Sequence, residues 1–133
     1  MKYCLDTNII IYCLKGMHPA IVARLQTHRP DEILIPEIVR AELLFGAAKS
    51  QQKARTLAVI HAFLHPFECL PFAGDAVEHY ADIRAYLETR GQSIGPNDLI
   101  IAATARASGA SLVTHNTAEF ERVAGLNIED WTK

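Results

Sequence analysis

Three acids in this chain sit where a carboxylate is awkward to place, and an amide repeats the position of the first. Asp6 separates the apolar run Tyr3-Cys4-Leu5 from a second run, Ile9 to Leu14. Glu42 lies in IVRAELLFGAA, where the only charges are Arg40 and Glu42. Asp98 follows Pro96 and Asn97 and leads directly into LIIAATA. Asn116 comes just after SLVT, much as Asp6 comes after KYCL. If the acids meet, they cannot all stay ionised without a counter-charge. A hard divalent cation such as Mg²⁺ or Mn²⁺ takes oxygen ligands and keeps waters free for substrate phosphates. The chemistry that fits is metal-assisted hydrolysis of a phosphodiester.

Each residue also has a plainer account. Asp is a favoured N-cap, and a helix-length run follows Asp6. A carboxylate in a first helical turn, as Asp98 is expected to be, is stabilised by the helix dipole. Asn116 and Glu119 match the N-x-x-E capping pattern. Glu42 is harder to dismiss, because its neighbours three and four positions away are Ile38, Val39, Phe45 and Gly46. Its ordinary explanation is an ion pair with Lys49. The reading that joins all four makes Asp6, Glu42 and Asp98 metal ligands. Asn116 then offers a neutral oxygen to the site or to its water.

Elements that alternate along the chain must position these groups. KYCL reads as a strand, and the helix after DTN stops near Gly16. A helix opens at Pro19, and EILIP is an apolar strand closed by Pro36. PEIVRAELLFGAAKS reads as a helix with Pro36 in its first turn. Gln51 to Leu64 is a further helix, and FECLP a short strand. The helix from Asp75 carries Val77, Tyr80, Ile83 and Leu87 on one stripe and ends at Gly91. PNDLIIAATARAS is a buried helix stopped by Gly109. SLVT is a strand, NTAEFERV a short helix and LNIEDW an edge strand. Strands alternating with helices predict an α/β fold with a parallel sheet covered on both faces. In such sheets sites form beyond the carboxyl ends of the strands, where Asp6 and Asn116 fall.

Length and composition set bounds on this reading. A chain of 133 residues predicts one domain spanning 1–133, and 50% hydrophobic residues predict a packed core. The net charge of −2 argues against a polybasic nucleic-acid or membrane protein, though a local basic patch around an acidic site is compatible with it. Cys4, Cys13 and Cys69 lie in apolar runs without a C-x-x-C pair, which points to buried thiols in a reducing compartment. With no signal-type start and no apolar run near ~18 residues, a cytoplasmic location is expected.

Two motifs mislead. GQSIG has the letters of a nucleophile elbow, but a helix rather than a strand precedes it, which makes Ser93 a loop serine. His61 and His65 are one turn apart but lack an H-E-x-x-H frame, and the helix dipole explains them. There is no phosphate-binding loop and no G-x-G-x-x-G, so nucleotide cofactors have no support.

CLDTNIII, IVRAELLFGAAKS, GQSIGPNDLIIAATA and LVTHNTAEFERVAGLNIEDW together resemble a PIN-domain ribonuclease of the VapC toxin type. The resemblance runs through nearly the whole chain, in order. It implies a three-layer α/β/α fold with a central parallel sheet of four to five strands. It also implies Mg²⁺- or Mn²⁺-dependent endonucleolytic cleavage of RNA within a type II toxin–antitoxin pair, with a VapB-type antitoxin and a homodimer. Its three acids map to Asp6, Glu42 and Asp98. Many members carry a fourth acid where this chain has Asn116, which leaves open one metal or two, and whether Glu119 substitutes. The ending L-V-T-x-N-T-x-E-F-x-R-V resembles members that cut the anticodon region of initiator tRNA. Thr7 and Asn116 would position ligands or water, and Arg40, Lys49 and Arg84 are candidates for steering phosphates.

Two readings compete. A receiver-like phosphoacceptor domain would want paired acids early and a Lys after a late strand, where this chain has Asp6-Thr7-Asn8 and His115-Asn116. A non-catalytic partner-binding module is compatible with the fold, but three buried acids would then lower stability with no return.

Overall fold

A computed structural model describes all residues, 1–133. Five short strands form one wholly parallel sheet: β1 (Tyr3–Leu5), β2 (Ile33–Pro36), β3 (Glu68–Leu70), β4 (Ser111–Val113) and β5 (Ile128–Glu129). Their spatial order is β3-β2-β1-β4-β5. Seven α-helices flank it: α1 (Thr7–Leu14), α2 (Pro19–Gln26), α3 (Glu37–Ala48), α4 (Lys53–Leu64), α5 (Asp75–Thr89), α6 (Pro96–Ser108) and α7 (Thr117–Phe120). The α/β architecture, the parallel sheet and its five strands follow the expectation from sequence.

The central strands are buried on both faces, which is why they read as unbroken apolar runs rather than alternating ones. Cys4 and Leu112 are fully enclosed, and Tyr3 pairs with Ile33 on one side and Ser111 on the other. These strands and the helices around them share one cluster of 28 buried residues. Helix α6 is its spine, with Leu99 and every residue from Ile101 to Ala105 buried.

The chain moves outward from β1 through β2 to β3, then returns to place β4 on the other side of β1. The crossovers therefore diverge between β1 and β4, the switch point at which open α/β sheets place their ligands. Asp6 follows β1 and Thr114 follows β4. Helix α6 precedes β4 and runs back along the sheet, so its first turn, with Asp98, lies at the same carboxyl edge.

Several local expectations are corrected. Pro36 ends β2 and sits at the N-cap position of α3, so the helix begins at Glu37. The α5 stripe starts at buried Ala76; Val77 is 49% exposed, because the phase of the helix is set by Ile83 and Leu87 against α6. Helix α7 ends at Phe120, three residues short of Val123. Cys4 is buried, whereas Cys13 and Cys69 are only partly so; all three are free thiols. No helix is long and apolar enough to cross a membrane.

Candidate active site

Asp6 is 5% exposed and does two things at once. Its Oδ1 accepts a 2.9 Å hydrogen bond from the Ile9 backbone N–H, capping α1. The Thr114 hydroxyl, beyond the end of β4, lies beside this carboxylate and favours its ionised form. Thr114 Oγ1 in turn accepts from the Asn116 backbone N–H at 3.0 Å. One relay thus ties the ends of the two switch-point strands together.

Glu42 occupies the second turn of α3, on a half-buried face. Phe45, expected beside it in the core, is 66% exposed. The ion pair with Lys49 does not form: the Lys49 ammonium lies 4.9 Å over the Phe45 ring instead. Two neutral donors hold Glu42. Thr7 Oγ1 donates to Oε1 at 2.6 Å, and Asn97 Nδ2 donates to Oε2 at 3.3 Å. Thr7 adjoins Asp6 and Asn97 adjoins Asp98, so Glu42 is fastened to both of the other acids' elements.

Asp98 stands in the first turn of α6. Glu119, in α7, accepts from the Gly95 backbone N–H at 3.1 Å and from the Asn116 side-chain amide. Asn116 occupies the N-cap position of α7, but its side chain caps nothing; it is turned onto Glu119. The N-x-x-E pattern therefore marks a side-chain pair rather than a capping box. Asn116 is a neighbour of the acid cluster, and Glu119 is the fourth carboxylate in it.

The acids feel one another. Burial, the hydrogen bond and charge of Glu119, and the charges of Glu42 and Asp6 push the Asp98 carboxyl up to about 7. Burial is also the main force on Asp6, raising it to about 6 against the opposing hydrogen bonds from Thr114 and Ile9. Burial acts on Glu119 too, but hydrogen bonds from Asp98, Gly95 and Asn116 outweigh it, with help from Arg122, and hold it below the usual range. Asp98 feels Glu119, Glu42 and Asp6 together and, raised further than Asp6, takes up a proton first as pH falls.

As placed, no three of these acids form a closed metal-ligating group. The donor set nevertheless suits a hard divalent ion: it is all oxygen, and no lysine or arginine is ion-paired to Asp6, Glu42, Asp98 or Glu119. Two candidates for steering phosphates are committed elsewhere, Arg40 to Glu37 and Arg84 to Glu88. Asn97, Thr114 and Arg122 were not assigned roles from sequence. Asn97 and Thr114 adjoin a candidate residue or a strand end, which is the only signal they carry. Ser93 is an exposed loop residue, and His65 caps the end of α4.

Comparison with known proteins places this arrangement. The PIN domain family model matches residues 3–126. The tRNA(fMet)-specific endonuclease VapC of Shigella flexneri is 40% identical over 132 residues, 99% of each chain. Ribonuclease VapC2 of Haemophilus influenzae is 40% identical over 131 residues, 98% of each. A chain in the crystal structure of DNA-bound VapBC from Salmonella typhimurium superimposes with a TM-score of 0.93 at 38% identity, covering 98% of both chains. With a family match across almost its whole length and full-length relatives at this identity, the chain belongs to the PIN-domain family, among its VapC ribonucleases.

Proposed function

We propose that this protein is the endoribonuclease toxin of a type II toxin–antitoxin pair, cleaving tRNA in the cytoplasm with Mg²⁺ or Mn²⁺. Initiator tRNA is the leading substrate, because the Shigella flexneri relative is named for it. A VapB-type antitoxin is the partner, since structural neighbours are VapBC complexes, and a homodimer is the assembly that the family resemblance implies. The observation that carries the reading is Asp98. An acid raised to about 7 first by burial and then by three neighbouring carboxylates is a site in need of positive charge.

Asp6, Glu42 and Asp98 would hold the ion, which supplies counter-charge and Lewis acidity toward a phosphate oxygen. Thr7 and Asn97 fix the Glu42 carboxylate, and Thr114 fixes that of Asp6. Glu119, beside Asp98 but not among the residues that would hold the ion, is the carboxylate left to take a proton from the attacking water and return one to the leaving oxygen. Asn116 keeps Glu119 oriented for that exchange.

The test is cleavage of bulk tRNA by antitoxin-free protein, with Mg²⁺ or Mn²⁺ against EDTA and with Asp98→Asn beside wild type. Discrete fragments that vanish with EDTA and in the variant would support the reading, and their ends would identify the substrate. Intact RNA throughout would reject it in favour of a partner-binding module.

A further inference from the structure

The chain has a net charge of −2 and a cluster of four acids, yet its proposed substrate is a polyanion. Local cations must offset that repulsion, and the structure narrows which ones are free. Of eight arginines, five are held by carboxylates: Arg24 by Glu129, Arg29 by Asp31, Arg40 by Glu37, Arg84 by Glu88 and Arg106 by Asp82. Arg90 lies 3.6 Å over the Tyr86 ring and bonds the Tyr86 carbonyl. Arg55 and Arg122 remain: Arg122 acts on Glu119, and Arg55 lines a groove that Glu42 also lines.

Arg122 is on the Glu119 side. Its guanidinium makes one long hydrogen bond, 3.4 Å to the Ser93 carbonyl, and acts electrostatically on Glu119 without an ion pair. Arg55 is on the Glu42 side. With Lys15, also unpaired, it lines a groove of about 460 Å³ between α1, α3 and α4 whose wall includes Glu42. The groove is apolar along Ile11, Leu14, Leu43 and Val59, with the two cations among its lining residues. An apolar surface with cations beside it suits an unpaired strand, whose bases seek dry surface while its phosphates seek charge.

We propose that Arg122 on one flank of the acids, and Lys15 and Arg55 on the other, are phosphate contacts that hold a single-stranded segment of RNA across the site. The proposal rests on the nuclease reading above. These residues bind the strand away from the bond that breaks. Removing them weakens substrate binding and its salt dependence and spares the chemical step.

The test measures binding of labelled bulk tRNA to Asp98→Asn protein in Mg²⁺ over a range of KCl, with Arg122→Gln, Arg55→Gln and Lys15→Gln added singly. Arg84→Gln is the control, because Arg84 is already committed to Glu88. Each of the three changes is expected to weaken binding about two- to fivefold at low salt. Each should also flatten the slope of log affinity against log salt by about 0.7. Arg84→Gln should leave both unchanged, and Arg122→Lys should keep the slope. In the cleaving enzyme the same changes should raise KM with little effect on kcat. Slopes and affinities like the control's, from wild-type protein that does cleave tRNA, would overturn the track alone and leave the groove to a peptide occupant. Wild-type protein that cleaves no RNA would remove the nuclease reading and the track together.

Discussion

Asp98 on α6 and Glu119 on α7 face each other across the carboxyl edge of the sheet, and their contact pushes the Asp98 carboxyl up and the Glu119 carboxyl down. Neither element adjoins the other in sequence. Only the return of the chain to β4 brings them together.

This relationship sets a pH dependence of stability. The folded pKa values of Asp98 and Asp6, about 7 and about 6, stand above the ordinary 3.8. Both groups therefore favour the fold fully below about pH 4, and that contribution is lost as pH rises through 6 and 7. In EDTA the melting temperature should fall between pH 5 and pH 8. Added Mg²⁺ should restore it at pH 8 and do little at pH 5, where protons already neutralise the site. Thermal unfolding at the two pH values, with and without metal, checks both statements.

Replacing the proton by chemistry should have the same effect. Asp98→Asn keeps a donor to Glu119 and removes the repelled charge. It is expected to raise the melting temperature at pH 8 by a few degrees and flatten its pH profile. Cleavage should drop by more than about a hundredfold. Lost activity together with lost stability would mean that Asp98 is structural.

The donors behind Glu42 offer a sharper separation of support from chemistry. Thr7→Val removes the 2.6 Å bond to Glu42 while preserving shape. Activity should fall roughly 10- to 100-fold, with partial recovery at high Mg²⁺ and full recovery in Thr7→Ser. Asn97→Ala should act in the same direction but less, its bond to Glu42 being 3.3 Å. Metal titration of the cleavage rate reads both.

Glu119 and Asn116 should differ in weight. Glu119→Gln removes a carboxylate from the cluster and one of the charges that raise Asp98, so cleavage should fall at least about tenfold. Asn116→Ala removes only the amide that orients Glu119 and should cost less. Asn116→Asp should be worse than Asn116→Ala, because it sets a new negative charge against Glu119. Initial rates at pH 7 for the three variants rank them.

Far from the acids, Trp131 locks the end of the chain to the sheet. It is fully buried, donates to Glu129 at 3.0 Å and stacks on His28 at 5.3 Å between ring centroids. Trp131→Ala should destabilise the protein by about 3–5 kcal/mol in denaturant unfolding. It should loosen β5 before it disturbs the acids on the other strands.

How much of this was legible in the sequence follows from the range of the forces involved. The apolar runs, the prolines and the glycine stops act within a few residues, and they suffice for the alternating elements, the parallel sheet and the identities of Asp6, Glu42 and Asp98 as misplaced acids. They are weakest where local rules tie. N-x-x-E looks like a capping box whether or not its amide turns to the glutamate, and Val77 and Ala76 fit the α5 stripe about equally until α6 packs against it. The partners of Glu42 come from α1 and α6, 35 and 55 residues away, so local spacing could offer only Lys49 as the ordinary alternative, and that pair does not form. The commitment of Arg84, the freedom of Arg122 and the opposed shifts of Asp98 and Glu119 are likewise properties of distance in space. The sequence by itself determined which residues can do chemistry, because residue type and burial pattern are local. The tertiary structure alone decided which of them meet and what charge they carry there, because charge interaction and desolvation depend on separation and enclosure in three dimensions.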